Sequence, residues 1–315
     1  MATPTRLTDA ELLSELEPRA EAYLNRHMDM VEMWYPHDYV PYGDGRDFES
    51  EPWTPDQPTL TGVARTAFFV NLMTEDNLPS YHREIYAMFG KKDSAWMTWV
   101  HRWTAEEGRH SIVLRDYLVL TRQEDPKKLE DGRMSVMEEG YEKDGKNTLR
   151  GMAYVSFQEL ATRVAHRNTG RYSKDPVADR IMERISKDEN LHMIFYRDML
   201  NDAKHVDPNG VVEAVADEVI GFQMPGAGMP DYNRMAMQIA IAGIYDLRVH
   251  HDDIVWPILR KLGIFEMEGL DAAAEKRRQE LADFMAALDG MATQFEEKRA
   301  AKAAKAAARE QQLVS

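Results

Sequence analysis

Trp103-Thr104-Ala105-Glu106-Glu107-Gly108-Arg109-His110 and Asp188-Glu189-Asn190-Leu191-His192 decide the reading of this chain, because each closes on Glu-x-x-His. A lone glutamate precedes each: Glu75 stands 32 residues before Glu107, and Glu159 stands 30 residues before Glu189. Turn residues mark both midpoints, Gly90-Lys91-Lys92-Asp93 around Lys91 and the stretch from Asn168-Thr169-Gly170 to Asp175-Pro176 around Lys174. If the flanks are helical, each interval folds back and sets its upstream glutamate level with the Glu-x-x-His of the returning helix. Two such hairpins packed face to face bring four carboxylates and two imidazoles to one point.

That is the ligand arrangement of a four-helix centre holding two iron or two manganese ions, and it makes Glu75, Glu107, His110, Glu159, Glu189 and His192 the candidate metal ligands. A carboxylate three residues before a histidine is weak evidence alone: 10 His and 54 Asp+Glu in 315 positions give about 1.7 such pairs by chance. The third pair, Asp202-x-x-His205, runs into Asp207-Pro208-Asn209-Gly210, has no matching upstream acid and reads as a surface pair. The other two carry the doubled geometry. Met152, Val155 and Thr162 flank Glu159 at helical spacing, and Ile181, Ile185, Met193 and Tyr196 flank Glu189, so these acids lie on faces expected to be dry. Unpaired carboxylates there are costly. Two divalent ions neutralise four glutamates.

Composition narrows the function classes. At 315 residues and 43% hydrophobic, the chain can bury a sizeable core, and no Gly/Ser- or Pro-rich linker divides it. The reading is one domain over residues 1–300, with the ligand bundle at about 61–200 and a basic Ala/Lys-rich tail at 301–315. No apolar run approaches the roughly 20 residues of a membrane span and no leader pattern opens the chain, so a cytoplasmic protein without a membrane span is expected. Zero cysteine excludes disulfides, Cys-ligated zinc and a cluster of iron and sulfur held by this chain, and no Gly-x-Gly-x-x-Gly turn offers a dinucleotide site. Electrons for a redox centre must then come from another protein. The net charge of −15 argues against nucleic acid as a partner. Lys298, Arg299, Lys302, Lys305 and Arg309 stand without an intervening acid and read first as a solvated terminal helix, second as a docking surface.

Strand signals are sparse, and the fold class is all-α: a ferritin-like four-helix bundle with additional N- and C-terminal helices. Thr8-Asp9-Ala10-Glu11 is a capping box, so a helix starts near residue 9, and Pro18 is expected to kink or interrupt it. Met33 to Trp53 reads as ordered loop. Residues 61–89, 96–120, 150–168 and 177–199 read as the four ligand helices, and 122–147 as a polar crossover. Pro79 cannot donate to the carbonyl of Glu75, so a bend or bulge is expected at that ligand. Beyond Gly210, helical runs break at Met224-Pro225-Gly226 and Met229-Pro230.

With these motifs placed, the chain resembles the soluble acyl-[acyl-carrier-protein] desaturases, in particular the mycobacterial and actinobacterial branch, from about Leu12 to Phe265. The likeness is carried by Trp34-Tyr35-Pro36-His37-Asp38-Tyr39-Val40-Pro41, Thr74-Glu75-Asp76-Asn77-Leu78-Pro79-Ser80-Tyr81, Ser156-Phe157-Gln158-Glu159-Leu160-Ala161-Thr162 and the two stretches quoted first. It implies two iron ions on the same six ligands, where spacing alone leaves iron and manganese open. It implies that Thr162 lies near the oxygen-binding side, and that Trp34 and Asp188 belong to an electron path ending at His110. Each has a plainer reading: Trp34 as a packing aromatic, Thr162 as a hydroxyl bonding back to its helix, Asp188 as the acceptor that orients a ligand histidine. Against the plant-type pattern of that family, Gly108 replaces the usual Asn, Asp76 the usual second Glu, and Asn190-Leu191 a common basic pair.

The implied activity is O2-dependent insertion of a cis double bond into a saturated acyl chain on acyl carrier protein, in fatty acid or mycolic acid biosynthesis. Its implied partners are a ferredoxin-type electron donor and a second copy in a homodimer. The chain should lie in a narrow apolar channel past the metals. Three alternatives stand beside this. A ferritin-like ferroxidase needs about 160 residues for four bundle helices, roughly half of this chain. A radical-generating reductase subunit typically has Asp at the position of Glu75. A catalytically silent homologue would retain the ligands without the chemistry.

Overall fold

The computed structural model describes residues 6–90, 93–140, 145–226 and 228–314, without the side chains of 310, 313 and 314, and among them there is no β-strand. The Lys91 midpoint lies outside the described residues. Twelve α-helices follow in order: α1 (Asp9–Met30), α2 (Gly62–Asp76), α3 (Leu78–Phe89), α4 (Ala95–Leu120), α5 (Pro126–Glu139), α6 (Thr148–Ser173), α7 (Pro176–Ala203), α8 (Pro208–Ile220), α9 (Tyr232–Ile241), α10 (Leu247–Val249), α11 (Trp256–Leu262) and α12 (Ala272–Val314). A π-helical turn, His250–Val255, joins α10 to α11.

Helix starts follow the sequence chemistry. Side chains of Thr8, Thr61, Ser94, Asn147 and Asp175 accept backbone N–H groups at the starts of α1, α2, α4, α6 and α7. Thr8 and Glu11 form the expected reciprocal box. Lys174 takes the left-handed conformation, φ 58°, and turns α6 into α7. Pro18 does not interrupt α1. It lies on the exposed face with Ser14, whose carbonyl loses its helical partner but faces water, while Leu12, Leu13, Leu16, Ala20 and Leu24 hold the other face in the core.

Helices α2, α4, α7 and α6 form the bundle, each in contact with the next. The first ligand helix is broken after Asp76: Asn77 leaves the helical path and α3 restarts with Pro79 in its first turn, where the missing N–H costs nothing. The break falls two residues from Glu75, as the Pro79 argument anticipates. The expectation of a plain polar crossover needs correction, since α5 occupies 126–139 with Leu129 and Val136 buried. Of its four large apolar side chains Met134 and Met137 are exposed, so the sequence shows no clean apolar stripe among the many charges. Helix α1 covers α4 and α7, while α8 covers α6 and is itself covered by α12.

Two apolar clusters fill the bundle. One holds Trp96, Trp99, Phe157, Phe195 and Tyr196; the other holds Phe68, Leu72, Leu114, Tyr117 and Ile185. Along α4 and α7 the sequence passes from one cluster to the other across Glu107, His110, Glu189 and His192. The candidate ligands therefore form a polar layer between two dry cores.

Candidate metal centre

Glu75, Glu107, Glu159, Glu189, His110 and His192 are all buried, both imidazoles completely. Their donor atoms form two overlapping sets, Glu75 with Glu107, His110 and Glu189, and Glu159 with Glu107, Glu189 and His192, each gathered within 4.8 Å. Glu107 and Glu189 belong to both, one from each Glu-x-x-His. Two cation positions bridged by two shared carboxylates are what this geometry offers.

The imidazoles point the right way for ligation. Nδ1 of His110 lies 3.5 Å from Glu75, 3.3 Å from Glu107 and 3.4 Å from Glu189. Nδ1 of His192 lies 2.7 Å from Glu107 and 3.5 Å from Glu159. Neither nitrogen has hydrogen-bond geometry to a partner, and the same holds for Glu107 Oε1 and Glu159 Oε2. Buried polar atoms are seldom left so, and here four of them face one point. The donor set, oxygen-rich with two imidazoles, suits iron or manganese.

Electrostatics give the same answer. Burial, with Glu189 and Glu107 nearby, pushes the Glu159 carboxyl well above its ordinary value, and burial with Glu189 also raises Glu107. Burial opposes charge on His110, yet Glu107, Asp188 and Glu189 outweigh it and raise the ring well above its usual value. His192 is likewise raised against burial, by Glu106, Glu107 and Glu159. The cluster demands positive charge, from protons or from cations.

Behind each histidine stands an acid from the opposite hairpin. Asp188 on α7 lies 3.4 Å from His110 Nε2, and Glu106 on α4 lies 2.9 Å from His192 Nε2. Each acid directly precedes the glutamate of its own Glu-x-x-His and is held by an arginine four residues earlier, Arg184 for Asp188 and Arg102 for Glu106. Holding Nε2 in this way fixes ring and tautomer so that Nδ1 faces the cluster. Glu106 is a residue that sequence reasoning missed, although the repeated pattern Arg-x-x-x-acid-Glu-x-x-His carries it.

Trp34 packs beside this layer, its ring 6.4 Å from that of His110, and its indole N–H donates to Asp188 at 2.7 Å. Arg109 lies over the Trp34 ring, 4.8 Å from its centre. Trp34, Asp188 and His110 are thus continuous in space, and the indole is both a packing aromatic and a donor. Thr162 donates to Glu189 Oε2 at 2.8 Å and also bonds back to the carbonyls of Gln158 and Glu159. Two further buried histidines went unread: His166 Nε2 lies 2.7 Å from Glu75, and His27 Nε2 lies 3.0 Å from Glu106. His166 stands seven residues after Glu159 on one helical face, a weak signal, while His27 is joined to the site only by tertiary packing. Asp202 and His205 lie outside the layer; Asp202 accepts from Tyr23 and His205 is exposed.

Two cavities flank the ligands. One, of about 50 Å³, is bounded by Glu75, Glu107 and Glu159 and is lined further by Trp103, Val155, Met88 and Gly151. The other, of about 70 Å³, meets Glu75 and Thr162 and is lined further by Ala236, Ile239 and Tyr245. Both touch Thr74 and Glu75. Both cavities therefore meet the cluster at Glu75, and the walls of each are largely apolar.

Comparisons with known proteins identify the family. Residues 8–314 match the family model described as fatty acid desaturase. A Mycobacterium tuberculosis protein named as an acyl-[acyl-carrier-protein] desaturase, DesA1, is 48% identical over 303 residues, covering 92% of this chain and 89% of its own. The chloroplastic palmitoyl-[acyl-carrier-protein] 4-desaturase of Coriandrum sativum is 28% identical, over 85% of this chain and 75% of its own. The X-ray structure of a second M. tuberculosis protein so named, DesA2, superposes with a TM-score of 0.69 at 27% identity, covering 84% of this chain and 98% of that one. The chain belongs to the fatty acid desaturase family.

Proposed function

We propose that this protein is an acyl-[acyl-carrier-protein] desaturase that forms a cis double bond in a saturated acyl chain. The observation that carries the reading is the pair of overlapping Glu/His sets, buried in the bundle and flanked by two largely apolar cavities. An unactivated methylene cannot be deprotonated by any side chain, so the oxidising power must come from O2 at a metal. Two iron ions in this site would supply the electrons that split O2 and the capacity to remove hydrogen from adjacent carbons. The net change, one saturated chain, O2, two electrons and two protons to one alkene and two waters, leaves the protein unaltered.

The chain's own residues have distinct tasks. Glu107 and Glu189 would serve both metal positions, Glu75 with His110 would complete one set, and Glu159 with His192 would complete the other. Thr162 orients Glu189 on the side of the second cavity. The walls from Ile239 to Met88 extend the acyl chain, keep water out and fix which carbons pass the metals. Asp188 links His110 to Trp34, where electrons from a ferredoxin-type donor enter. A soluble carrier and donor place the reaction in the cytoplasm, and the working form is a homodimer. The deciding experiment supplies reduced ferredoxin, O2 and saturated acyl carrier protein to the iron-loaded protein and identifies the acyl product by mass spectrometry. An unchanged acyl chain, with full iron content, overturns the reading.

A further inference from the structure

Helix α12 is 43 residues long, and only its first part is packed. Ala274, Leu281, Met285, Leu288 and Ala292 are buried, and the packed face ends at Arg299, after which residues 300–309 are all exposed. Lys298, Lys302, Lys305 and Arg309 follow one another at intervals of 4, 3 and 4, so they lie in a row on one face, spanning roughly 16 Å at the helical rise. None makes an ion pair among the described residues. Alanines fill most of the intervening positions and stabilise the projecting helix through their high propensity, without needing support from the body.

The row begins at the wall of the second cavity. Arg299 donates to the carbonyl of Ala240 at 3.0 Å and to Asp246 at 2.6 Å. The neighbours of these two residues in sequence, Ile239 and Tyr245, line the cavity. A basic arm is thereby fixed beside an apolar passage on a molecule whose net charge is −15. An acidic partner is repelled by the net charge of the body and attracted by this row, which steers its approach toward the cavity wall.

We propose that the row Lys298, Lys302, Lys305 and Arg309 is the docking surface for an acidic acyl carrier, and that it delivers the acyl chain into the cavity through the side lined by Ile239 and Tyr245. The proposal rests on the desaturase reading for the identity of the cargo. A lipid surface fits less well, because the helix has alanine where membrane-binding helices carry large apolar residues. Nucleic acid fits less well too, since a duplex would face the −15 body over a long span.

The test uses the full-length, iron-loaded protein and the variant Lys302→Glu/Lys305→Glu/Arg309→Glu, which changes only exposed positions. Direct titration with acyl carrier protein should show affinity falling roughly tenfold or more, with the salt dependence of binding largely removed. In turnover, KM for the carrier should rise while kcat holds. Equal carrier affinity and salt dependence in both proteins overturns the proposal, as does charge-dependent binding of phosphatidylserine vesicles or a DNA duplex with carrier binding unaltered. If the parent binds carrier through these charges but forms no alkene, docking stands and the desaturase reading falls.

Discussion

Glu106 lies on the same helix as His110, yet its carboxylate supports His192 on the opposite hairpin, 2.9 Å from Nε2. Asp188 returns the arrangement by supporting His110. Replacing Glu106 by Gln keeps the volume and removes the charge that orients His192. Metal affinity should fall roughly 10–100-fold, read by competition with a chelator, while the fold is retained in circular dichroism.

The overlapping sets assign different weights to the ligands. Glu107→Ala removes a group common to both positions and should strip both metal equivalents. Glu159→Ala removes a group from only one set and should leave more metal than Glu107→Ala, although product is lost in both. Metal-to-protein ratio by plasma emission, alongside product yield, checks the order; equal ratios in the two variants would sink the bridging assignment.

Trp34 and Asp188 make a different demand. Trp34→Phe deletes the 2.7 Å bond to Asp188 but preserves an aromatic ring over the layer. Reduction of the metal centre by a protein donor should slow, whereas reduction by dithionite and metal content should not change. Stopped-flow absorbance separates the two, and equal slowing with both reductants would mean that Trp34 is packing alone.

At the far end of the first cavity a Cβ on Gly151 would stand 2.0 Å from Met88 Cε. Gly151→Leu therefore fills space and should shorten the accepted acyl chain. Each excluded methylene is worth about 0.8 kcal/mol, or roughly fourfold in kcat/KM. Competition between carriers loaded with acyl chains of two lengths measures the shift.

Acid stability has an identifiable contributor away from the metal layer. Burial, helped by His251, lowers His250 from 6.5 to about 4, and its ring meets Tyr245 and Phe222. The unfolded chain therefore binds the proton first: the contribution is complete above pH 6.5 and is lost as pH falls toward about 4. His250→Asn should flatten that limb in urea denaturation midpoints measured across this window, and an unaltered limb would remove His250 from the account.

The bundle and the convergence of the six groups were legible because helical spacing converts sequence interval into height, and each interval folds back at its own midpoint to the level where it began. The acid before each Glu-x-x-His was also readable in principle, yet periodicity says only which face it occupies, and its partner sits across the bundle. His27 shows the limit: nothing local distinguishes it from an ordinary helix histidine, and only the packing of α1 on α4 brings it to Glu106. Helix α5 escaped for the opposite reason, since its charged surface gives little amphipathic signal. Pro18 misled because the effect of proline depends on whether the orphaned carbonyl meets solvent or core.

The exchange of supporting acids between hairpins makes neither hairpin self-sufficient. A half-formed chain in which only α6 and α7 have paired carries His192 without Glu106 and Asp188 without His110, so it offers no oriented donor set and should capture no cation. Cation loading then reports that both halves have docked, and the reactivity of the centre is withheld from a nascent chain until the pocket that must contain it is closed.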